Sequence, residues 1–255
     1  MAASQEYDIG RPYFVTARIP HHDSNNRMHR DGLPQKLGFR GPLVLGTATY
    51  ASMTRVLAAK FGERWLGNAL VEVKFLSVVC EGDRLRVETE PLPGRESDNG
   101  FKVTAYNETN ANKIAAYMET CSPAELPPID PHADLQPNEW EGPVTQRRTW
   151  DVVVVDRPFR SLNSTLSADD NSHWRKVLED DLRIYSEGDR PPIHPALVLR
   201  QVQLSSSNQY QGDNAVHGSS KAIVRKMLRV GDVIQVVTVP VAKWEKKGNH
   251  WVTTY

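Results

Sequence analysis

Cysteine is scarce: the 255 residues contain two, Cys80 and Cys121. They lack metal-ligand spacing, and a secreted disulfide scaffold would carry more, so neither a zinc site nor a disulfide framework is expected. A surplus of one charge is also missing. Lys and Arg total 31, Asp and Glu total 31, and the formal net charge is zero. Broad capture of nucleic acid or of an anionic membrane needs a basic surplus, so neither partner is expected. No apolar run approaches the roughly 20 residues of a membrane helix. Residues 1–11 are polar and lack the apolar core of a signal peptide. No phosphate-binding glycine loop and no zinc motif occurs. What is present is ordinary for a chain that buries a core: 39% hydrophobic and 24% charged residues, at a length that suits one large domain or two small ones. A cytoplasmic protein with two buried thiols is the expectation.

Two β-rich halves are joined by a proline-rich bridge. Residues 13–19 suit a short strand, and the polar, Asn-rich stretch 23–30 suits a loop. Residues 47–61 carry Ala48, Ala51, Met53, Val56, Leu57 and Ala59 at helical spacing, which predicts a mostly buried helix with Gly62 at its C-terminal cap. Strands are predicted at 70–80, 85–90, 101–107 and 113–120, with Gly82-Asp83, Gly94-Arg95 and Asn99-Gly100 as turn signals. Six prolines between 122 and 143 remove amide donors and disfavour helix before them, so this stretch reads as an extended linker. Beyond it, a strand is predicted at 152–155, helices at 174–185 and 196–210, and strands at 215–228, 233–241 and 251–255. Lys246-Lys247 beside Trp244 and Trp251 reads as a solvated turn.

The halves share punctuation. Pro42 to Gly46 leads into a helix, a strand, Gly82-Asp83 and another strand; Pro191 to Pro195 leads into the same series around Gly231-Asp232. Gly46 to Gly82 is 36 positions, and so is Pro195 to Gly231. This spacing implies a duplicated unit. Four strands follow the first helix and three follow the second.

The stretch Asn26-Arg27-Met28-His29-Arg30-Asp31, followed by Leu37-Gly38-Phe39-Arg40-Gly41-Pro42-Leu43-Val44-Leu45-Gly46 and a helix, resembles the MaoC-like dehydratases and (R)-specific enoyl-CoA hydratases. The resemblance covers about residues 23–90, with a degenerate copy in the second half. It implies an α+β double hot-dog fold, two antiparallel sheets each wrapping a central helix. The units would be 1–121 and 150–255, with 122–149 as linker. It also implies a lyase that reversibly hydrates an enoyl thioester. The substrate would carry CoA or the phosphopantetheine of an acyl carrier protein, with no other cofactor, no metal and a possible homodimer.

Adding water beside a thioester carbonyl builds negative charge on the carbonyl oxygen. The unpaired amides and partial positive charge of a helix N-terminus can stabilise it. Gly46 stands where the first buried helix starts, and a bare Cα allows close approach; a plain helix-entry glycine would look the same. His29 is the natural acid/base, because an imidazole both takes and gives protons near neutrality. Counting back from His29, the family's catalytic Asp falls on Ser24 and its Asn on Asn26, while Arg27 replaces the Pro. Asp23 lies one residue away from the expected place. Asn25 or Asn26 could instead orient a water while His29 alone transfers protons, or Asp31 could contribute. Phe39, Arg40, Pro42, Leu45 and Thr47 are the candidate substrate-binding residues; Arg40 suits either a CoA phosphate or its own loop. In the second copy Pro195 stands for Gly46 and offers no amide. His194 aligns with the family's His-Gly histidine and His173 lies upstream, and both read as structural or pocket-lining. Two other functions compete. Hot-dog thioesterases usually need a carboxylate on or near the central helix, and residues 47–61 hold none, Glu63 being nearest. A non-catalytic acyl-binding or assembly subunit would keep the fold without the Asp.

Overall fold

The computed structural model describes residues 8–20, 26–30, 32–129, 135–139, 143–211 and 215–255. The first unit runs β1 (Tyr13–Thr16), a 3-10 turn (Arg27–His29), α1 (Leu33–Lys36), α2 (Gly46–Phe61), α3 (Glu63–Gly67), β2 (Ala69–Phe75), β3 (Arg84–Pro91), β4 (Phe101–Asn107) and β5 (Lys113–Cys121). The second runs β6 (Leu162–Thr165), α4 (Ala168–Val177), α5 (Pro195–Gln209), β7 (Ser219–Val224), β8 (Val233–Val236), β9 (Pro240–Lys246) and β10 (Asn249–Thr254).

Helix α2 is apolar or small on nearly every side, and Thr47, Met53, Val56 and Leu57 are all at most 1% exposed. Such a helix is stable only when wrapped, since burial rather than propensity holds it. The wrap is an antiparallel sheet in the order β1-β3-β4-β5-β2-β7. Its inner face is set by period-two alternation. Val87 lies opposite Ala105, Ala105 opposite Ala116, and Val103 and Val73 both oppose Met118. All six are buried. Gly62, at φ 55°, ends α2 where a side chain would be strained.

The duplication is visible in the hydrogen bonds, pair by pair at an offset of 149 positions. The Val44 amide donates to the Val79 carbonyl, and Ile193 to Leu228; Glu81 donates to Pro42, and Val230 to Pro191; Gly82 donates to Ala17, and Gly231 to Leu166. Both turns close on an aspartate. Asp83 accepts from the Cys80 amide and Asp232 from the Arg229 amide. The units meet twice. β2 pairs antiparallel with β7, its counterpart in the copy, from Ala69↔Val224 to Lys74↔Ser219. α2 and α5 also share one core, in which Leu45, Ala48 and Ala51 pack with Trp174, Ala196 and Leu197.

The second unit departs from the sequence expectations in three places. Residues 152–155 form a turn region rather than a strand; Val153 packs with Phe159 and Tyr210, and its carbonyl accepts from the Lys243 ammonium. The helix expected at 174–185 begins earlier and ends sooner, at Ala168–Val177. Ser167 caps it through the Asp170 amide, and Glu179 at φ 55° turns the chain away. The run 233–241 splits into β8, paired with β6, and β9, paired with β10. Pro240 has no amide to carry the ladder across the break. The described part of 122–149 contains no helix or strand, only an isolated bridge from Arg147 to Gln211. No described helix is long and apolar enough to cross a membrane.

Candidate active site at the N-terminus of the first central helix

Three segments converge on the start of α2. The first is the turn carrying His29. Asn26 caps it: its Oδ1 accepts from the Met28 amide at 3.0 Å, and Met28 is buried against Leu43 and Cys80. The Leu43 amide in turn donates to the Met28 carbonyl at 2.8 Å. His29 is half-buried, with Nδ1 2.7 Å from the Leu43 carbonyl oxygen. A carbonyl only accepts, so Nδ1 carries a proton and the neutral ring holds its basic lone pair at Nε2. His29 is thereby fastened three residues ahead of Gly46.

The second segment is the helix start itself. Leu45, in extended conformation, is the N-cap and supplies no side-chain cap. The Leu45 carbonyl accepts from Ala48 and Thr49, and neither the Gly46 nor the Thr47 amide has an acceptor among the described residues. Thr47 is fully buried and its Oγ1 has no hydrogen-bond partner. Buried polar groups are nearly always paired, so this cluster of unpaired donors is a feature in need of a cause.

The third segment comes from the second unit. The Asn26 Nδ2 donates to the Ala215 carbonyl at 2.9 Å. His217 lies against Gly46, where a Cβ would stand 2.9 Å from the His217 Cβ and Nδ1. Glycine is therefore required here by close approach. His217 packs on Phe75 with ring centroids 4.7 Å apart, and burial lowers its pKa, only partly offset by its bond to the Ser219 backbone. The sequence reading missed His217, since nothing in the first unit's motif points to a residue more than 170 positions away.

The remaining candidates are placed as follows. Asp23, Ser24, Asn25 and Asp31 lie outside the described residues. Phe39 packs in the cluster of Met28, Leu43 and Cys80. Arg40 makes two bonds to Asp83, at 2.7 and 2.9 Å, which raise its pKa and fix its own loop. The Pro42 carbonyl is taken by the Glu81 amide, and Leu45 is in the core. No group of three or more potential metal-ligating His, Cys, Asp or Glu occurs among the described residues. A concavity of about 330 Å³ lies elsewhere, beside Val152, Arg157, Phe159, Gln209 and Tyr210.

The equivalent helix start in the second unit is closed by the chain itself. Pro195 removes one amide, and His194 Nδ1 accepts from the Ala196 amide at 3.2 Å. That fixes the proton on Nε2, which donates to Asp180 Oδ2 at 3.2 Å. Burial pushes the Asp180 carboxyl up, but hydrogen bonds from His194 and the Leu182 amide, with the Arg55 charge, outweigh it and hold the pKa below the usual value. Asn171 Oδ1 accepts from the His194 amide at 2.8 Å. His173 is spent on the Pro20 carbonyl, 2.7 Å from its Nε2.

Two wrapped helices, strands joined through β2 and β7, and matching hydrogen bonds in both halves decide the architecture. The chain has a double hot-dog fold. Solved structures agree. A conserved hypothetical protein of Mycobacterium tuberculosis, described as a double hot-dog, aligns at TM-score 0.64 and 14% identity over 98% of this chain and 89% of its own. A putative MaoC domain dehydratase from Chloroflexus aurantiacus aligns at 0.58 and 12% identity, over 95% and 83%. A protein titled MaoC-like dehydratase aligns at 0.55 and 13%, over 99% and 98%. No family model and no curated protein matches the chain. In this double hot-dog, one helix start has a half-buried Gly46 and a buried Thr47 with unpaired donors, while its copy is capped from within.

Proposed function

We propose that this double hot-dog binds an acyl thioester with its carbonyl oxygen at the amides of Gly46 and Thr47. There it reversibly hydrates a trans-2-enoyl thioester, or dehydrates the 3-hydroxyacyl thioester. The observation that carries this reading is the unpaired N-terminus of α2, with the orphan Thr47 hydroxyl beside it and His29 fastened to Leu43. Partial positive charge and unused donors stabilise an enolate oxygen, and removing one such donor typically costs about 10² to 10³ in rate. His29 Nε2 exchanges the proton of the water oxygen. The CoA or carrier-protein phosphopantetheine comes with the substrate, and the proposed chemistry calls on no further cofactor.

Crotonyl-CoA tests this. Loss of enoyl absorbance without release of free thiol is the outcome expected; thiol release identifies a thioesterase, and neither change leaves an acyl-binding role. His29→Ala lowers the hydration rate by about 10² to 10⁴-fold. Full activity in that variant removes His29 from the site.

A further inference from the structure

Hydration and dehydration of a thioester involve two different protons. One moves at the oxygen on the β-carbon and one at the α-carbon. His29 accounts for the first. The segment Ala215–Gly218, pinned to the first unit by the Asn26–Ala215 bond, brings a second imidazole to the same helix start. His217 Nε2 lies 3.2 Å from the Ser219 carbonyl oxygen and 2.8 Å from Ser220 Oγ. The carbonyl only accepts, so the proton sits on Nε2. Nδ1 then carries the lone pair, and it accepts from the Gln203 side-chain Nε2 in a long bond of 3.5 Å. Nδ1 is also an atom in close approach to Gly46, 2.9 Å from where a Cβ would stand. An oxygen held by the Gly46 amide is two bonds from the α-carbon of the same thioester.

We infer that His217 is a catalytic base of the first unit's site, supplied by the second unit, and that its Nδ1 takes the α-proton of the bound thioester. This rests on the acyl-thioester reading above. In the dehydration direction the Cα–H bond breaks and an N–H bond forms on His217, while the electron pair passes to the carbonyl oxygen as an enolate at the Gly46 amide. The enolate then forms the Cα=Cβ bond and expels the β-hydroxyl, which leaves as water with a proton from protonated His29. His217 returns its proton to solvent and His29 takes one up, so the net change is loss of one water. Hydration is the reverse. The degenerate unit thus keeps a function although its own helix start is capped.

Butanoyl-CoA in D2O separates this step from the rest. It has neither a β-hydroxyl nor a double bond, so exchange of its α-protons, followed by proton NMR, reads Cα–H cleavage alone. The wild-type protein exchanges them, and His217→Asn and His217→Gln lower the exchange rate by at least about 100-fold. A wild-type protein that does not exchange, or folded variants that exchange at the wild-type rate, overturns the inference. Crotonyl-CoA run on the same samples distinguishes the failures. Hydration without exchange leaves the hydratase reading standing and removes His217; exchange without hydration does the opposite. If both variants fail to fold, nitrogen NMR of histidine-labelled wild-type protein decides: a proton on His217 Nε2 supports the inference, and one on Nδ1 overturns it.

Discussion

Thr47 condenses the chemistry of the site into one side chain. A buried hydroxyl without a partner costs about 1–3 kcal/mol relative to a paired one, and Thr47 is fully buried with its Oγ1 unpaired. Valine has nearly the same shape and no hydroxyl. Thr47→Val is therefore expected to raise stability by about 1 kcal/mol, read as a higher denaturation midpoint, while weakening butanoyl-CoA binding measured by calorimetry. Unchanged binding would mean that the hydroxyl serves no ligand. Asp180 gives the opposite case, a buried group whose every bond is used. Its pKa is held below the unfolded value, so its stabilising effect is present above about pH 4 and lost as pH falls through the folded value. Asp180→Asn is expected to cost about 3 kcal/mol at neutral pH. The gap from wild type should close in acid, as checked by denaturant melts between about pH 2 and pH 7.

At the scale of elements the two copies use the same parts with different investment. Asp83 is 2% exposed and accepts from Arg40, the Cys80 amide and the Asn107 side chain. Asp232 accepts from Arg190 and the Arg229 amide, with its side chain 26% exposed. Asp83→Ala is expected to cost about 3–5 kcal/mol by stranding buried partners, and Asp232→Ala less than half as much, both by denaturant titration. The central helices differ likewise. Leu57 of α2 is 0% exposed, whereas Val202 of α5 is 41% exposed. Leu57→Ala is expected to cost about 2–5 kcal/mol, and Val202→Ala about 0.5 kcal/mol or less.

The whole molecule is held as one body by the β2–β7 ladder and the core shared between α2 and α5. β5 completes the first wrap by pairing with both β4 and β2. No described strand takes that place between β10 and β7. The continuous sheet therefore belongs to the first unit, with β7 added to its edge, and the second unit contributes two-stranded ribbons. The fully wrapped helix presents an unpaired start, and the partly wrapped one caps its own.

Much of this was legible in the sequence. The strands read at 101–107 and 113–120 match β4 and β5 to within a residue, because the Asn-rich turn between them marks where one ends and the next begins. The helix at 47–61 was legible from its Ala and Met spacing, and the duplication from the two 36-residue intervals. His29 and Gly46 were singled out because their motif is local, and the structure puts His29 against the Leu43 carbonyl and Gly46 at the first position of α2. Sequence could not reveal that His217 closes on Gly46, that Arg40 is spent on Asp83, or that His194 caps its own helix. Each is a contact between distant segments, fixed by how two sheets join and two helices pack. Periodicity reports which face of an element is buried; only the assembled fold decides which atoms meet there.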